Sequence, residues 1–132
     1  ATEGFEMPRH RRGWAIAENE EERLTPLMGA VIEPALLVLL QEKPQHGYNL
    51  LASLETMGMN PPHPSVVYRT LREMESLDWI TSDWDADESL GPPRRTYTLT
   101  EPGKAALKNW RAEMARTVDL IVKLIEKIDQ QK

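Results

Sequence analysis

The chain of 132 residues contains no cysteine, so disulfides, zinc ribbons, iron–sulfur clusters and thiol chemistry are excluded from the outset. It also has no long apolar run. The longest is the six residues Ala35–Leu40, far short of the roughly 20 that cross a bilayer, and no signal-like apolar region precedes it. A cytoplasmic protein without membrane contact is therefore expected. Positive charge is the minority: 16 Lys and Arg stand against 21 Asp and Glu, for a net charge of −5. That balance argues against a protein that coats nucleic acid indiscriminately, but it leaves room for a small basic face on an acidic body. No glycine-rich phosphate loop and no nucleophile elbow occur, and the one serine beside a histidine, Ser65 near His63, sits where a helix cap belongs. No enzyme is expected. A chain of this length can bury one core, so the expectation is one domain, or one domain with an appendage.

Residues 1–24 lack apolar periodicity and divide into a basic block, Arg9-His10-Arg11-Arg12, and an acidic one, Glu18 and Glu20–Glu22. They read as a flexible arm. From Leu27 the composition changes, and Pro34–Leu40 is apolar almost all round, as in a short helix buried on several sides, with Pro34 in its first turn and Pro44 marking its end. A second helix is expected over about His46–Met57, with Tyr48, Leu51 and Leu54 or Leu50 recurring three or four apart and Gly58 as its C-terminal cap. A third starts at Pro64 or Ser65, after the Pro-rich stretch 60–63, and runs to about Leu77, with Val67, Leu71, Met74 and Asp78 in line. Beyond Asp78 the period changes. Trp79–Trp84 and Arg95–Leu99, rich in Thr, Ile, Tyr and Trp, read as a two-stranded hairpin with a long tip containing Gly91-Pro92-Pro93. Thr100 is a good N-cap, Pro102 suits a first turn, and no Gly or Pro follows Gly103, so the chain ends in one long helix.

That last helix carries Leu107, Trp110, Met114, Thr117, Ile121, Leu124 and Ile128 at alternating steps of three and four. A stripe of period 3.5 over about 28 residues, roughly 42 Å, is longer than the small preceding domain can cover. The expected partner is a second copy of the chain.

Three helices, a hairpin and a terminal helix are the order of a winged helix-turn-helix, in which the third helix enters the major groove and the hairpin touches flanking backbone. If Val67, Leu71 and Met74 face the core, then Ser65, Arg69, Arg72 and Ser76 face away, with Tyr68 at the edge. This outward stripe holds two guanidinia, two hydroxyls and a phenol, and no acid, while Glu73, Glu75 and Asp78 lie toward its flanks. A DNA-reading surface and an ordinary solvated helix face both fit it.

His46-Gly47-Tyr48, then Val67-Tyr68-Arg69-Thr70-Leu71-Arg72-Glu73-Met74-Glu75, then Gly91-Pro92-Pro93-Arg94-Arg95-Thr96-Tyr97-Thr98-Leu99-Thr100-Glu101-Pro102-Gly103 resemble the PadR family of bacterial transcriptional regulators in order and spacing, over roughly residues 30–125. The resemblance implies a homodimeric repressor that binds double-stranded DNA at a palindromic or pseudo-palindromic operator. It places Ser65, Tyr68, Arg69 and Arg72 against DNA and Arg94 and Arg95 at the wing. It also implies release by a small-molecule inducer or other signal, with Trp110 as a candidate to stack a planar ligand; packing in a core or interface is the commoner use of such an indole. The chain departs from the family in having Asp78 where Gly is usual at the end of the third helix, and in an acidic wing tip, Asp83, Asp85, Asp87 and Glu88.

The acidic run imitates the start of a calcium loop, but Glu88 stands where such a loop needs Gly and Arg94 where it needs Glu. His10, His46 and His63 have no ligand spacing. No metal or cofactor is expected. Arg9–Arg12 has two readings, a minor-groove arm or a solvated tail. The expectation is then an arm (1–24), a mainly α winged helix-turn-helix domain with a small hairpin (25–100) and a dimerisation helix (101–132), acting as a regulator of transcription. The alternative is a winged-helix module that kept the fold and binds proteins instead of DNA.

Overall fold

The apolar residues 34–40 form the centre of the core in the computed structural model, which describes residues 25–59, 63–85 and 94–131. Residues 1–24, 60–62, 86–93 and 132, which include the Arg9–Arg12 block and Asp87 and Glu88 of the expected wing tip, lie outside the described residues. A short α1 (Pro26–Ala30) leads in, started by Thr25, whose hydroxyl oxygen accepts from the Met28 N–H at 3.1 Å. Next comes α2 (Ile32–Glu42), which buries Ile32, Pro34, Ala35, Leu36, Leu37, Leu39 and Leu40. Lys43 leaves the helix in an extended conformation (φ −174°, ψ 155°), the one favoured for a residue before a proline. Buried Gln45 then turns its side-chain amide back to donate to the Leu39 carbonyl at 2.9 Å, a shorter bond than the 3.4 Å one this carbonyl receives from the Lys43 N–H.

The sheet has three strands, where the hairpin pattern alone predicts two. A two-residue β1 (Gln45–His46) lies against β3 (Arg95–Leu99), which pairs on its other side with β2 (Ile80–Trp84), giving the antiparallel order β1-β3-β2. Gln45 faces Tyr97 and His46 faces Thr96; in the hairpin Ile80 faces Leu99 and Trp84 faces Arg95. Two residues are too few to show an alternating pattern, so β1 exists only because β3 offers it a free edge.

The helix-turn-helix consists of α3 (Gly47–Thr56) and α4 (Pro64–Ser76). Gly47, Leu50 and Leu54 are the buried positions of α3. Tyr48 is not part of that face: it lies one residue, about 100°, away from Gly47 and is 71% exposed. The chain leaves α3 through Gly58 at φ 104°, and the Met59 N–H bonds the Leu54 carbonyl at 3.1 Å. On α4, Val67, Leu71 and Met74 are completely buried, as their spacing predicts, and Thr70 bonds back to the Val66 carbonyl. Each fully buried Leu or Met adds roughly 1.5–3 kcal/mol of apolar transfer free energy. Asp78, the fourth residue of that line, is exposed and ends the helix in the left-handed region at φ 64°, with the Trp79 N–H on the Met74 carbonyl. The aspartate therefore occupies the glycine position of a helix C-terminus.

One helix, α5 (Glu101–Gln130), completes the described chain in 30 residues. The Thr100 hydroxyl donates to the Asp78 carbonyl at 2.6 Å and accepts from the Gly103 N–H at 3.0 Å, so the same residue caps α5 and ties it to the end of α4. Gly103 and Ala106 are buried, and Leu107 and Trp110 pack against the core made by α2. The start of α5 thus belongs to the winged domain, and the helix becomes exposed only farther on, with Val118, Leu120, Val122, Leu124, Ile125 and Ile128 each 46–68% exposed. No helix of the described residues is long and apolar enough to cross a membrane.

Candidate nucleic-acid interface

With Val67, Leu71 and Met74 turned inward, α4 presents Ser65, Arg69, Arg72 and Ser76 to solvent, all four exposed. The start of this helix is fixed by His63, whose Nδ1 accepts from the Ser65 N–H at 3.2 Å and faces the Ser65 hydroxyl at 2.9 Å. An imidazole nitrogen that accepts the backbone N–H has no proton of its own, so the hydroxyl is the donor in the second bond. Ser65 therefore keeps only its oxygen lone pairs for an outside partner. Arg69 and Arg72 form no ion pair among the described residues.

Tyr68 is half-buried because it lies across Gly47: a Cβ built there would come within 2.6 Å of the Tyr68 Cε1 and 2.8 Å of its hydroxyl. The tyrosine ring joins α4 to the start of α3. Around it lies an open cleft of about 360 Å³, lined by His46, Gly47, Tyr48, Tyr68, Trp84, Arg94, Arg95 and Tyr97. Four aromatic rings and two guanidinia thus converge beside the exposed face of α4.

The wing is fastened to the helix-turn-helix in two places. At its outer end the Asp85 carboxylate receives the Thr96 hydroxyl at 3.0 Å and the His46 Nε2 at 2.8 Å. A carboxylate can only accept, so Nε2 carries the proton. The His46 hydrogen bond, then that of Thr96, holds the Asp85 carboxyl below the usual carboxylate range. Part of the acidity at the wing is in this way absorbed by the fold. Nearer the base, the Ser82 hydroxyl donates to Glu75 of α4 at 2.8 Å, while Arg95 donates to Ser82 and stacks on Trp84, its guanidinium carbon 4.6 Å from the ring centre. Trp79, just before β2, is half-buried against the core, whereas Trp84 is 59% exposed with its ring against Arg95. Arg94 is exposed at the end of β3. Burial raises the Tyr97 phenol above its ordinary range.

Residues 36–109 match the model of the transcriptional regulator PadR-like family, more than half of the chain. The chain belongs to this family. A PadR family transcriptional regulator from Eggerthella lenta is 31% identical, with a TM-score of 0.66 over 74% of this chain and 83% of that one. A Thermoplasma acidophilum protein is 26% identical at the same TM-score, over 76% of this chain and 95% of that one. Bacillus subtilis PadR, solved in complex with operator DNA, shares the fold at 24% identity and a TM-score of 0.54, over 61% of this chain and 46% of that one. No curated protein matches the chain.

This PadR-like chain gathers most of its sequence-predicted residues on one side. Ser65, Arg69 and Arg72 share the outer face of α4, and Tyr68, Arg94 and Arg95 line the adjoining cleft. Trp110 is elsewhere: its indole N–H donates to Glu33 at 3.2 Å, and its ring, with that of Trp79, borders a second cleft of about 410 Å³. The cleft residues that sequence reasoning did not assign to the site are Trp84, Tyr97, His46, Gly47 and Tyr48. The His-Gly-Tyr motif marks the last three and the wing motif contains Tyr97; nothing in the sequence marks Trp84, whose place depends on strand register. Among the described residues, no group of three or more His, Cys, Asp or Glu could hold a metal ion.

Proposed function

We propose that the protein is a homodimeric, sequence-specific DNA-binding repressor whose α4 reads the major groove through Ser65, Tyr68, Arg69 and Arg72. The observation that carries this is the exposed arginine and hydroxyl face of α4 beside a cleft of aromatic rings and guanidinia, which suits a phosphate backbone approaching next to base edges. Arg94 lies beside that backbone track. Family membership supports the reading, and so does the operator complex of the Bacillus subtilis protein of the same fold.

The whole of α5 is about 45 Å long, and a second copy would cover its outer part, whose apolar side chains remain open to water. Met114, Thr117, Ile121, Leu124 and Ile128 would lie in that seam, and Val118 and Ile125 widen it. Leu107 and Trp110, at its inner end, already pack in their own chain. The cleft bordered by Trp79 and Trp110 is the site we assign to a planar inducer, because two indoles and Glu113 are among the residues that line it.

Selection from a pool of random duplexes at two salt concentrations tests the DNA reading. The expected result is a palindromic or pseudo-palindromic sequence whose recovery falls steeply with salt, as neutralised phosphates require. A folded protein that enriches nothing would move the protein-binding alternative to first place.

A further inference from the structure

Arg95 belongs to the wing, yet its guanidinium points toward the reading helix. Its Nη1 donates to the Ser82 Oγ at 2.6 Å, and the Ser82 hydroxyl donates to the Glu75 Oε2 at 2.8 Å. The other carboxylate oxygen of Glu75 lies 4.0 Å from the same Nη1. The Trp84 ring covers one face of the guanidinium. Three elements are crossed in this short path: β3 supplies Arg95, β2 supplies Ser82 and α4 supplies Glu75. The groups are neither deeply buried nor free, with the Arg95 and Glu75 side chains 41% and 35% exposed.

An acid on the helix offered to a negatively charged duplex would by itself weaken binding, as would an arginine whose charge an acid offsets. Both make sense together if they set geometry. A guanidinium is a planar fork that can stack on an indole while it directs an N–H at a fixed angle, and an ammonium cannot do this. We propose that Glu75, Ser82 and Arg95 are positioning residues: they fix the angle between the wing and α4, so that the wing reaches the backbone when the helix is seated in the groove. This rests on the DNA reading given above. Arg95 then acts through Glu75 and Ser82, and Arg94 is the wing arginine left to meet phosphate.

The test uses the full chain, the duplex recovered by selection, and the variants Glu75→Gln, Ser82→Ala, Arg95→Ala and Arg95→Lys, all measured well below their melting temperatures. The proposal expects Glu75→Gln to weaken binding tenfold or more although it removes a negative charge near DNA. It expects Ser82→Ala and Arg95→Ala to weaken binding by similar factors, and Glu75→Gln with Arg95→Ala to add nothing to either alone. Arg95→Lys should bind as poorly as Arg95→Ala. In the free protein, Glu75→Gln should speed amide exchange in β2 and β3 while leaving α2 unchanged.

Tighter binding by Glu75→Gln, or near-normal binding by Arg95→Lys, would show that Arg95 is a direct phosphate contact and would overturn the proposal. The DNA reading would stand in either case. A wild-type chain that selects no duplex would overturn both, and the two failures are distinguished by that control alone.

Discussion

The ring of Tyr68 occupies the space that a side chain at Gly47 would need: the missing Cβ would stand 2.6 Å from the ring edge. Gly47 has no positive φ to require glycine, so its role is close approach. Gly47→Ala should therefore push the tyrosine outward, at a stability cost within the roughly 1–3 kcal/mol typical of overpacking. Binding should suffer more than folding, because Tyr68 lies beside the reading face. A thermal melt and a duplex titration check this; wild-type affinity in a folded Gly47→Ala variant would remove Tyr68 from the interface.

Arg69 stands at the middle of the exposed face of α4. If it reads a base, Arg69→Ala should cost about 1–3 kcal/mol of binding and relax preference at one position of the site. Selection repeated with the variant measures both. An unchanged affinity and an unchanged consensus would show that the base is read elsewhere.

Gly103 lies under the Trp79 carbonyl, with the Leu99 Cδ1 2.6 Å from the position of an added Cβ. Here the obstacle includes backbone, which cannot rotate aside. Gly103→Ala should lower stability by about 1–3 kcal/mol or more, readable as a lower urea midpoint at constant slope. It would also disturb the Thr100 cap on the same N–H. An unaltered midpoint would mean that α5 can shift along the sheet at no cost.

Tyr97 and Asp85 set opposite ends of the pH profile. Burial raises the folded-state pKa of Tyr97, so its contribution is complete below about 10, the unfolded value, and is lost as pH rises through the folded value. Tyr97→Phe should flatten the alkaline limb of a stability-against-pH curve. Asp85 is shifted down, chiefly by its hydrogen bond from His46; its contribution is present above the unfolded value of about 3.9 and fades as pH falls through the folded one. Asp85→Asn should remove that acid-side dependence, and an acid limb identical to wild type would dissociate the pair from stability.

Ile121 is half-buried and Leu124 is 50% exposed on the outer part of α5. Ile121→Asp with Leu124→Asp places two charges in the proposed seam and should yield monomers in sedimentation, with the winged domain still folded. A double variant that still sediments as a dimer would place the interface on another face.

Much of this molecule can be read from periodicity and caps. The inward set Val67, Leu71 and Met74 and the outward set Ser65, Arg69, Arg72 and Ser76 follow from 100° per residue, because the energy of a helix that buries one face depends on which residues lie on it. Thr100, Pro102 and Gly58 announce their helix ends by local backbone chemistry. Tertiary structure decided the rest. The strand β1 needs an edge 50 residues away in the chain; Tyr48 fell outside the core because α3 rotates to bury Gly47; Leu107 and Trp110 turned to their own core because α2 was there to receive them. The pairing of His46 with Asp85 and the path from Arg95 through Ser82 to Glu75 join residues that no sequence period relates. Local rules act on a few neighbouring residues and so leave their mark in sequence, whereas contacts between elements exist only after strand register and helix docking have brought distant groups within bonding distance.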